Sequence, residues 1–337
     1  MIRAGLIGCG LQGWRRAKVV SEHGDKLVIV ADVNEGKAKA LANEIKCEIT
    51  TNWKDVIARS DVDVVMVCTP NYLHAPMSMA AMRNGKHVLC EKPLARSPCE
   101  AERMIKVAEE TGMKLKCGFN LRYHPGVRQA RRWFDGGVIG EIDFIRIRYG
   151  TGGRLGYDKE WRANKEMSGG GQLMDQGVHA LDLARWFLGG FNRAFGYVST
   201  RFWRNSQVED NAFCLLRTEK DQVAVVHVSW TQWKNLFSFE IFGEEGYVVV
   251  EGLGGSYGTE RAILGKRGFL KPFEEQVIEF RGEDVSWREE WKEFISAIEE
   301  NREPLGNAYD GLEAVKLVYA IYKSASQGSA VKLISGT

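Results

Sequence analysis

Between residues 2 and 120, short apolar runs alternate with longer stretches whose apolar residues recur every three or four positions. The runs at 2–7, 27–31, 63–68, 87–90 and 114–117 are too short and too apolar for strands exposed on one face. Strands buried on both faces and separated by helices predict parallel β-α units. One helix is legible to its ends. Ser97 predicts the N-cap, Pro98 the first helical position and Glu100 a capping box; Met104, Ile105, Val107 and Ala108 form its stripe, and Gly112 stops it.

After about residue 122 the rhythm changes. Longer runs at 142–149, 194–203, 208–217, 222–230, 235–242 and 246–251 alternate apolar with polar residues, which predicts a mostly antiparallel sheet. Helical segments interrupt the series at about 171–188 and close it at about 286–301 and 310–325, with Pro304 and Gly306 separating the last two. The expected fold class is therefore α/β. A doubly wound parallel sheet occupies 1–121, and an α/β domain with a large, mostly antiparallel open sheet occupies 122–337. The helix at about 310–325 packs back on the first domain. The open face, with Phe202, Trp203, Trp230, Trp233 and Phe237, is the expected oligomer interface.

Composition removes several classes of function. The 337 residues are 44% hydrophobic and 27% charged, with 46 Lys+Arg against 44 Asp+Glu for a formal charge of +2. So even a balance excludes a strong electrostatic case for nucleic acid or an anionic membrane. No apolar stretch approaches the ~20 residues of a membrane span. The chain opens on an expected strand, leaving no room for a signal peptide, so a cytoplasmic protein is expected. Its seven cysteines contain no C-x-x-C pair; reduced thiols and no metal site are expected.

Gly8-Cys9-Gly10-Leu11-Gln12-Gly13 is G-x-G-x-x-G between a strand and a helix. The first glycine allows the tight turn, the second lets a pyrophosphate approach the backbone, and the third lets helix and strand pack closely. Asp32 ends the next strand, where a carboxylate accepts hydrogen bonds from the adenosine ribose hydroxyls. This is the pattern of a Rossmann dinucleotide site. Asp32 repels a 2′-phosphate, and Val33-Asn34-Glu35 offers no arginine to hold one, so NAD is expected over NADP. Residues Gly8, Gly10, Leu11, Gly13 and Asp32 are its candidate contacts.

Three further segments carry candidate chemistry. Thr69-Pro70-Asn71-Tyr72-Leu73-His74 and Glu91-Lys92-Pro93 follow the fourth and fifth strands, where ligands of such sheets bind. Thr69, Pro70, Asn71, His74, Glu91 and Lys92 join the cofactor-binding candidates, although a lysine there can equally be a solvated loop charge. Pro93 makes the bond before it a candidate cis peptide. The third segment is Gly169-Gly170-Gly171-Gln172-Leu173-Met174-Asp175-Gln176-Gly177-Val178-His179. On a helix, Asp175 and His179 share one face; an ordinary surface pair would look the same. Gly177 between them costs roughly 1 kcal/mol relative to Ala, which close approach of a ligand or a strand would explain.

Together the glycine turn, T-P-N-x-x-H, G-K-H-V-x-x-E-K-P and the late G-G-G-x-L-x-D-x-G-x-H, in order along the chain, resemble the Gfo/Idh/MocA family. The resemblance implies an N-terminal Rossmann domain and a C-terminal α/β domain with a large open sheet. It implies NAD(P)-dependent oxidation or reduction of a carbinol of a sugar, cyclitol or nucleotide sugar, and a homodimer or homotetramer. It assigns catalysis and substrate binding to Lys92, Asp175 and His179. An imidazole, with an ordinary pKa of about 6.5, suits the carbinol proton; Lys92 would hydrogen-bond the same oxygen and Asp175 a neighbouring hydroxyl. Division of proton transfer between Lys92 and His179 stays open. In the loop from Gly152 to Arg162, Arg154 and Arg162 are placed to hold a phosphate and Tyr157 or Trp161 to stack on a ring, unless the loop is simply solvated. Arg122, Tyr123 and His124 are further pocket candidates. Residues 153–186 resemble members of sugar-nucleotide and amino-sugar pathways that oxidise C3, which favours a sugar or nucleotide-sugar dehydrogenase. An inositol dehydrogenase, a keto-sugar reductase and a sensor without turnover are the alternatives.

Overall fold

Strands β1 (Arg3–Ile7), β2 (Lys26–Ala31), β3 (Glu48–Thr50), β4 (Val64–Val67), β5 (His87–Cys90) and β6 (Leu115–Cys117) form one sheet in the order β3-β2-β1-β4-β5-β6. All their pairings are parallel, and the order is that of a Rossmann fold. The coordinates, a computed structural model, describe residues 1–269 and 274–333. Helices α1 (Leu11–Glu22), α2 (Glu35–Ile45), α3 (Trp53–Ala58), α4 (His74–Arg83) and α5 (Pro98–Thr111) supply the crossovers. The strand β3 escapes sequence reading because its three residues hold one apolar side chain at a sheet edge. Helix α5 begins and ends as its sequence predicts: the Ser97 hydroxyl accepts from Glu100 N–H at 3.2 Å, and Gly112 sits at φ 70°. The Glu100 carboxylate departs from a capping box, accepting instead from the Arg96 N–H and guanidinium.

The second sheet has nine strands in the order β14-β13-β12-β11-β7-β10-β9-β8-β15. They are β7 (Ile142–Gly150), β8 (Arg193–Ser199), β9 (Asn211–Arg217), β10 (Val223–Ser229), β11 (Leu236–Gly243), β12 (Gly246–Glu251), β13 (Glu260–Lys266), β14 (Glu275–Phe280) and β15 (Val331–Lys332). Only β7 and β10 run parallel; every other neighbour is antiparallel. Helix α6 (Pro125–Asp135) lies against β12 and β13, and α8 (Val178–Leu188) against β7 and β10; the short α7 (Lys165–Ser168) precedes α8. Burial alternates as the pleat requires. Ala194, Gly196, Ala212, Cys214, Ala224 and Val226 face inward, while Phe195, Tyr197, Phe213, Leu215 and Val225 face out.

That alternation corrects the expected aromatic face. Trp230 and Phe237 are only 1% and 2% exposed, because both belong to the inner layer. Trp203 packs half-buried beside Trp230, and only Phe202 and Trp233 of that group stand out in solvent. The open apolar surface is made instead by Phe195, Tyr197, Phe213, Leu215 and Val225.

The chain divides into two compact units. One comprises Met1–Asn120 and Trp287–Val315, the other Leu121–Ser286 and the residues from Lys316 on. Helix α9 (Ser286–Glu299) therefore belongs, from Trp287, with the parallel sheet rather than with the chain before it. Its Trp287, Trp291, Phe294 and Ile295 complete a core with Leu6, Ala17, Val20 and Leu27, and the Trp291 indole donates to Asp25 at 3.0 Å. The last helix, α10 (Ala308–Gln327), begins in the first unit and ends in the second. Among the described residues no helix is long and apolar enough to cross a membrane.

Candidate functional site

In the first unit, β1 delivers the chain into the glycine turn. Gly8 has φ +100°, and a Cβ there would lie 2.5 Å from the Cys68 carbonyl oxygen. A Cβ on Gly13 would lie 2.1 Å from the Gly8 oxygen. Those two glycines are demanded by the fold itself. Gly10 is different: a Cβ there would meet nothing within 4 Å, so its missing side chain leaves space that no described residue fills. Beside it α1 starts with no side-chain cap, and Trp14 N–H makes the first intrahelical bond to the Gly10 carbonyl. The amides of Leu11, Gln12 and Gly13 thus present the positive end of a helix over that space, which fits the pyrophosphate of a dinucleotide.

Asp32 follows β2 and does more than its position suggests. Its carboxylate accepts from Cys9 N–H and Asn34 N–H, both at 2.8 Å, so it props the glycine turn from behind. A carboxylate has about four lone-pair sites, which leaves room for ribose hydroxyls. The thiol of Cys9, in the same turn, is pushed up to about 12 by burial and by Asp32, so it stays protonated.

The loops after β4 and β5 are tied together by His74. It is buried, with Nδ1 2.7 Å from the Pro93 carbonyl and Nε2 2.9 Å from the Thr69 carbonyl. Burial pushes its pKa down, against the pull of the two carbonyls. This corrects its expected place among the cofactor contacts: both ring nitrogens are engaged by backbone, and His74 holds the loop carrying Thr69, Pro70 and buried Asn71 to the loop carrying Lys92. His74→Ala, which removes the partner of the buried Pro93 carbonyl and of the Thr69 carbonyl, is expected to cost about 1–3 kcal/mol in urea unfolding; no measurable loss would refute the tie.

Glu91 is also corrected. Its side chain turns inward onto Arg16 of α1, with Nε at 2.8 Å, and is nearly fully buried. Arg16 is 0% exposed, pairs on its other side with Glu290 of α9, and lies 4.5 Å from the Trp287 ring centroid. Burial alone would lower the Arg16 pKa; Glu290 and Glu91 outweigh it and hold the guanidinium charged. Lys92, half-buried, follows directly, and the Lys92–Pro93 bond is cis, as the sequence allowed.

In the second unit, Asp175 and His179 stand on one continuous helical stretch, but not a regular one. Leu173–Gly177 form a π turn that runs into α8. A Cβ on Gly177 would lie 2.9 Å from Leu173 Cδ1 and 3.3 Å from Val228 Cγ2 of β10, so a strand, together with the helix's own Leu173, explains this glycine. His179 is buried, its ring 6.4 Å edge-on from that of Tyr149. Tyr149 in turn packs against Phe237 and Tyr257, and the Tyr257 hydroxyl accepts from Gln176 at 2.9 Å. Nothing in the sequence pattern marks Tyr149 or Tyr257; the fold sets Tyr149 against His179 and Tyr257 against Tyr149.

The arginine loop gathers on Glu160. Arg154 meets Glu160 through two parallel bonds of 2.8 and 2.6 Å, and Arg162 reaches the same carboxylate at 3.6 Å. Arg162 also lies 3.6 Å from Asp175 and 4.5 Å over the Trp161 ring. Tyr157 does not stand ready to stack on a ligand. It is buried, 4.4 Å from Trp230 and 6.0 Å from Trp203, and burial raises its phenol pKa. Asp210 builds the facing loop, accepting from the backbone N–H groups of Arg201, Phe202 and Trp203.

Arg122, Tyr123 and His124 are all buried within the second unit. Arg122 bonds Asp182 of α8 at 2.8 and 2.6 Å, and His124 bonds Glu260 at 3.0 Å. Arg122 and His124 thus each meet an acidic side chain far away in sequence. No group of three His, Cys, Asp or Glu able to hold a metal occurs among the described residues.

Two family models match: "Oxidoreductase family, NAD-binding Rossmann fold" over residues 2–119 and "GFO/IDH/MocA C-terminal domain" over 127–249. The chain is 28% identical to inositol 2-dehydrogenase of Rhizobium meliloti over 334 residues, covering 97% of each. It is 35% identical to dTDP-3,4-didehydro-2,6-dideoxy-alpha-D-glucose 3-reductase of Actinomadura kijaniata over 225 residues, covering 66% of this chain and 67% of that one. Its fold resembles that of levoglucosan dehydrogenase in complex with NADH and levoglucosan, with a TM-score of 0.91, 24% identity and coverage of 99% and 100%.

Proposed function

The chain belongs to the GFO/IDH/MocA oxidoreductase family, with an NAD-binding Rossmann domain, and from that premise we propose that it transfers a hydride between NAD and a secondary carbinol of a free sugar or cyclitol. One observation carries the choice of a free substrate: Glu160 already answers Arg154 and Arg162, so a phosphate entering there would have to displace a carboxylate. A nucleotide-sugar substrate is the second reading, favoured by the Actinomadura relative, whose name denotes a dTDP-sugar reductase. Lys92, Asp175 and His179 together disfavour a sensor, which needs no proton acceptor at a reactive carbon.

Bound NAD supplies the hydride acceptor. His179 takes the proton of the carbinol hydroxyl as a general base, and Lys92 hydrogen-bonds the same oxygen and stabilises its developing charge. Asp175, steadied by Arg162, accepts from a neighbouring hydroxyl and orients the ring. NADH formation across free sugars, inositols, sugar phosphates and nucleotide sugars tests the substrate class. Turnover with free sugars or inositols is expected; turnover confined to nucleotide sugars would overturn the reading of Glu160.

Asp32 sets the cofactor. Asp32→Asn is expected to weaken NADH binding by about tenfold, the equivalent of one charge-assisted hydrogen bond, and to narrow the preference over NADPH. Fluorescence titration of both nucleotides measures this; tighter NADPH than NADH binding by the parent protein would contradict it. The open face with Tyr197 and Phe213 is the proposed contact with a second copy, giving a homodimer or homotetramer. The seven cysteines are free thiols, which supports a cytoplasmic location.

A further inference from the structure

Glu209, at the entrance to β9, is nearly fully buried. Its main-chain carbonyl accepts from Gln172 N–H, and its carboxylate oxygens accept from Gly171 N–H and Leu173 N–H, all at 3.0 Å. Three consecutive amides, of the kind a helix leaves without intrahelical partners at its start, therefore end on one residue from elsewhere in the chain. Tyr322 of α10 donates its hydroxyl to the same carboxylate at 2.8 Å.

This clamp explains the glycine run before the helix. A Cβ on Gly171 would lie 2.0 Å from the Glu209 carbonyl oxygen, and one on Gly170 2.2 Å from the Tyr322 hydroxyl. Those glycines make room for protein. The stretch so anchored opens with the π turn that carries Asp175 and then becomes the α-helix that carries His179. A π turn is wider than an α turn and rotates less per residue. It is rarely stable alone, so the alignment of Asp175 over His179 depends on what holds its start. Gln172 adds a side bond to the Ser229 carbonyl at 3.2 Å, but the start of the turn is fixed by Glu209.

We propose that Glu209, with Tyr322 as its partner, is a positioning residue for the reaction, holding the helix in the π register that sets Asp175 against His179. The inference rests on the roles proposed for that pair. The groups seen to hydrogen-bond the carboxylate are donors: the Gly171 and Leu173 N–H groups and the Tyr322 O–H. Burial raises the Glu209 pKa above the usual carboxylate range, and the Tyr322 hydroxyl and the two amides offset only part of that rise.

Glu209→Gln keeps the size but turns an NH2 group toward donors; Tyr322→Phe keeps the ring and removes one donor. A displacement of about 1 Å in a reacting group can cost on the order of 10²-fold. The expected result is a fall in kcat of about that size for Glu209→Gln and about tenfold for Tyr322→Phe. In both variants the KM for NAD and the fluorescence-measured affinity for NADH stay unchanged. Because both substitutions act through one clamp, the double variant should be no slower than Glu209→Gln alone. Parental kcat in a folded Tyr322→Phe variant, or a rise in the KM for NAD that matches the loss of kcat, would overturn the proposal. His179→Ala serves as the control. If it is slow while the clamp variants are not, the positioning role fails; if it turns over normally, the roles assigned to the helix fail first.

Discussion

His179→Ala and Lys92→Ala each lower turnover by about 10²-fold or more, the usual worth of a positioned general acid or base, while NADH affinity stays within a few-fold of the parent protein. Hydride cannot leave a carbinol carbon unless the hydroxyl proton goes elsewhere, and the imidazole of His179 is the proposed acceptor. It is held in a dry setting, buried on α8 beside Tyr149. Lys92 follows β5, on a loop anchored from behind by Glu91 on Arg16 and from the side by His74 on Pro93. Neither substitution touches the glycine turn or Asp32, which is why cofactor affinity should survive. Turnover within a few-fold of the parent in either variant, measured at saturating NAD, would remove that residue from the chemistry.

Arg16→Met lowers stability by about 3–5 kcal/mol, the cost of stripping one partner from a buried ion pair. Glu91 and Glu290 both lean on this guanidinium, and the Glu290 side chain is 0% exposed. Without it both carboxylates stay buried, and Glu290 is left facing Lys116, whose ammonium already serves Glu293. The effect has a direction in pH. Burial already pushes the Glu290 pKa above its ordinary value, and loss of Arg16 pushes it further. A carboxyl whose folded pKa is raised costs stability as pH climbs through that pKa, so the deficit of Arg16→Met should be smaller in acid than at neutral pH. Urea unfolding at both pH values measures it. A deficit below about 1 kcal/mol, or one that grows on acidification, would show that the carboxylates do not depend on Arg16.

The parts of the fold legible in the sequence are those written locally. Strands β1, β2, β4 and β5 show as short, mostly apolar runs because both faces are buried, and α5 carries its own cap and stop. Strand β14, exposed along most of its length at a sheet edge, has no buried face to impose alternation. The site divides the same way. The glycine turn and Asp32 can be read from spacing, and so can the positions of Lys92, Asp175 and His179. Their supports cannot. Arg16 meets Glu91 across 75 residues and Glu290 across 274, and Tyr322 meets Glu209 across 113. A carboxylate at such distances carries no periodic or motif signal, so Glu91 reads as a cofactor contact and Glu209 as a polar strand position. The arginine loop misleads for a related reason. Arg154 and Glu160 are six residues apart on an irregular loop, where no helical or strand period predicts that they meet.

The most direct measurement uses whichever sugar or cyclitol turns over, with deuterium on its carbinol carbons, and follows the label into NADH by mass spectrometry. Deuterium in NADH, formed by the parent protein and reduced at least about 10²-fold in rate by His179→Ala, is the expected result. NAD that binds but acquires no label from any sugar or cyclitol would contradict hydride transfer and leave a nucleotide-binding protein without this chemistry.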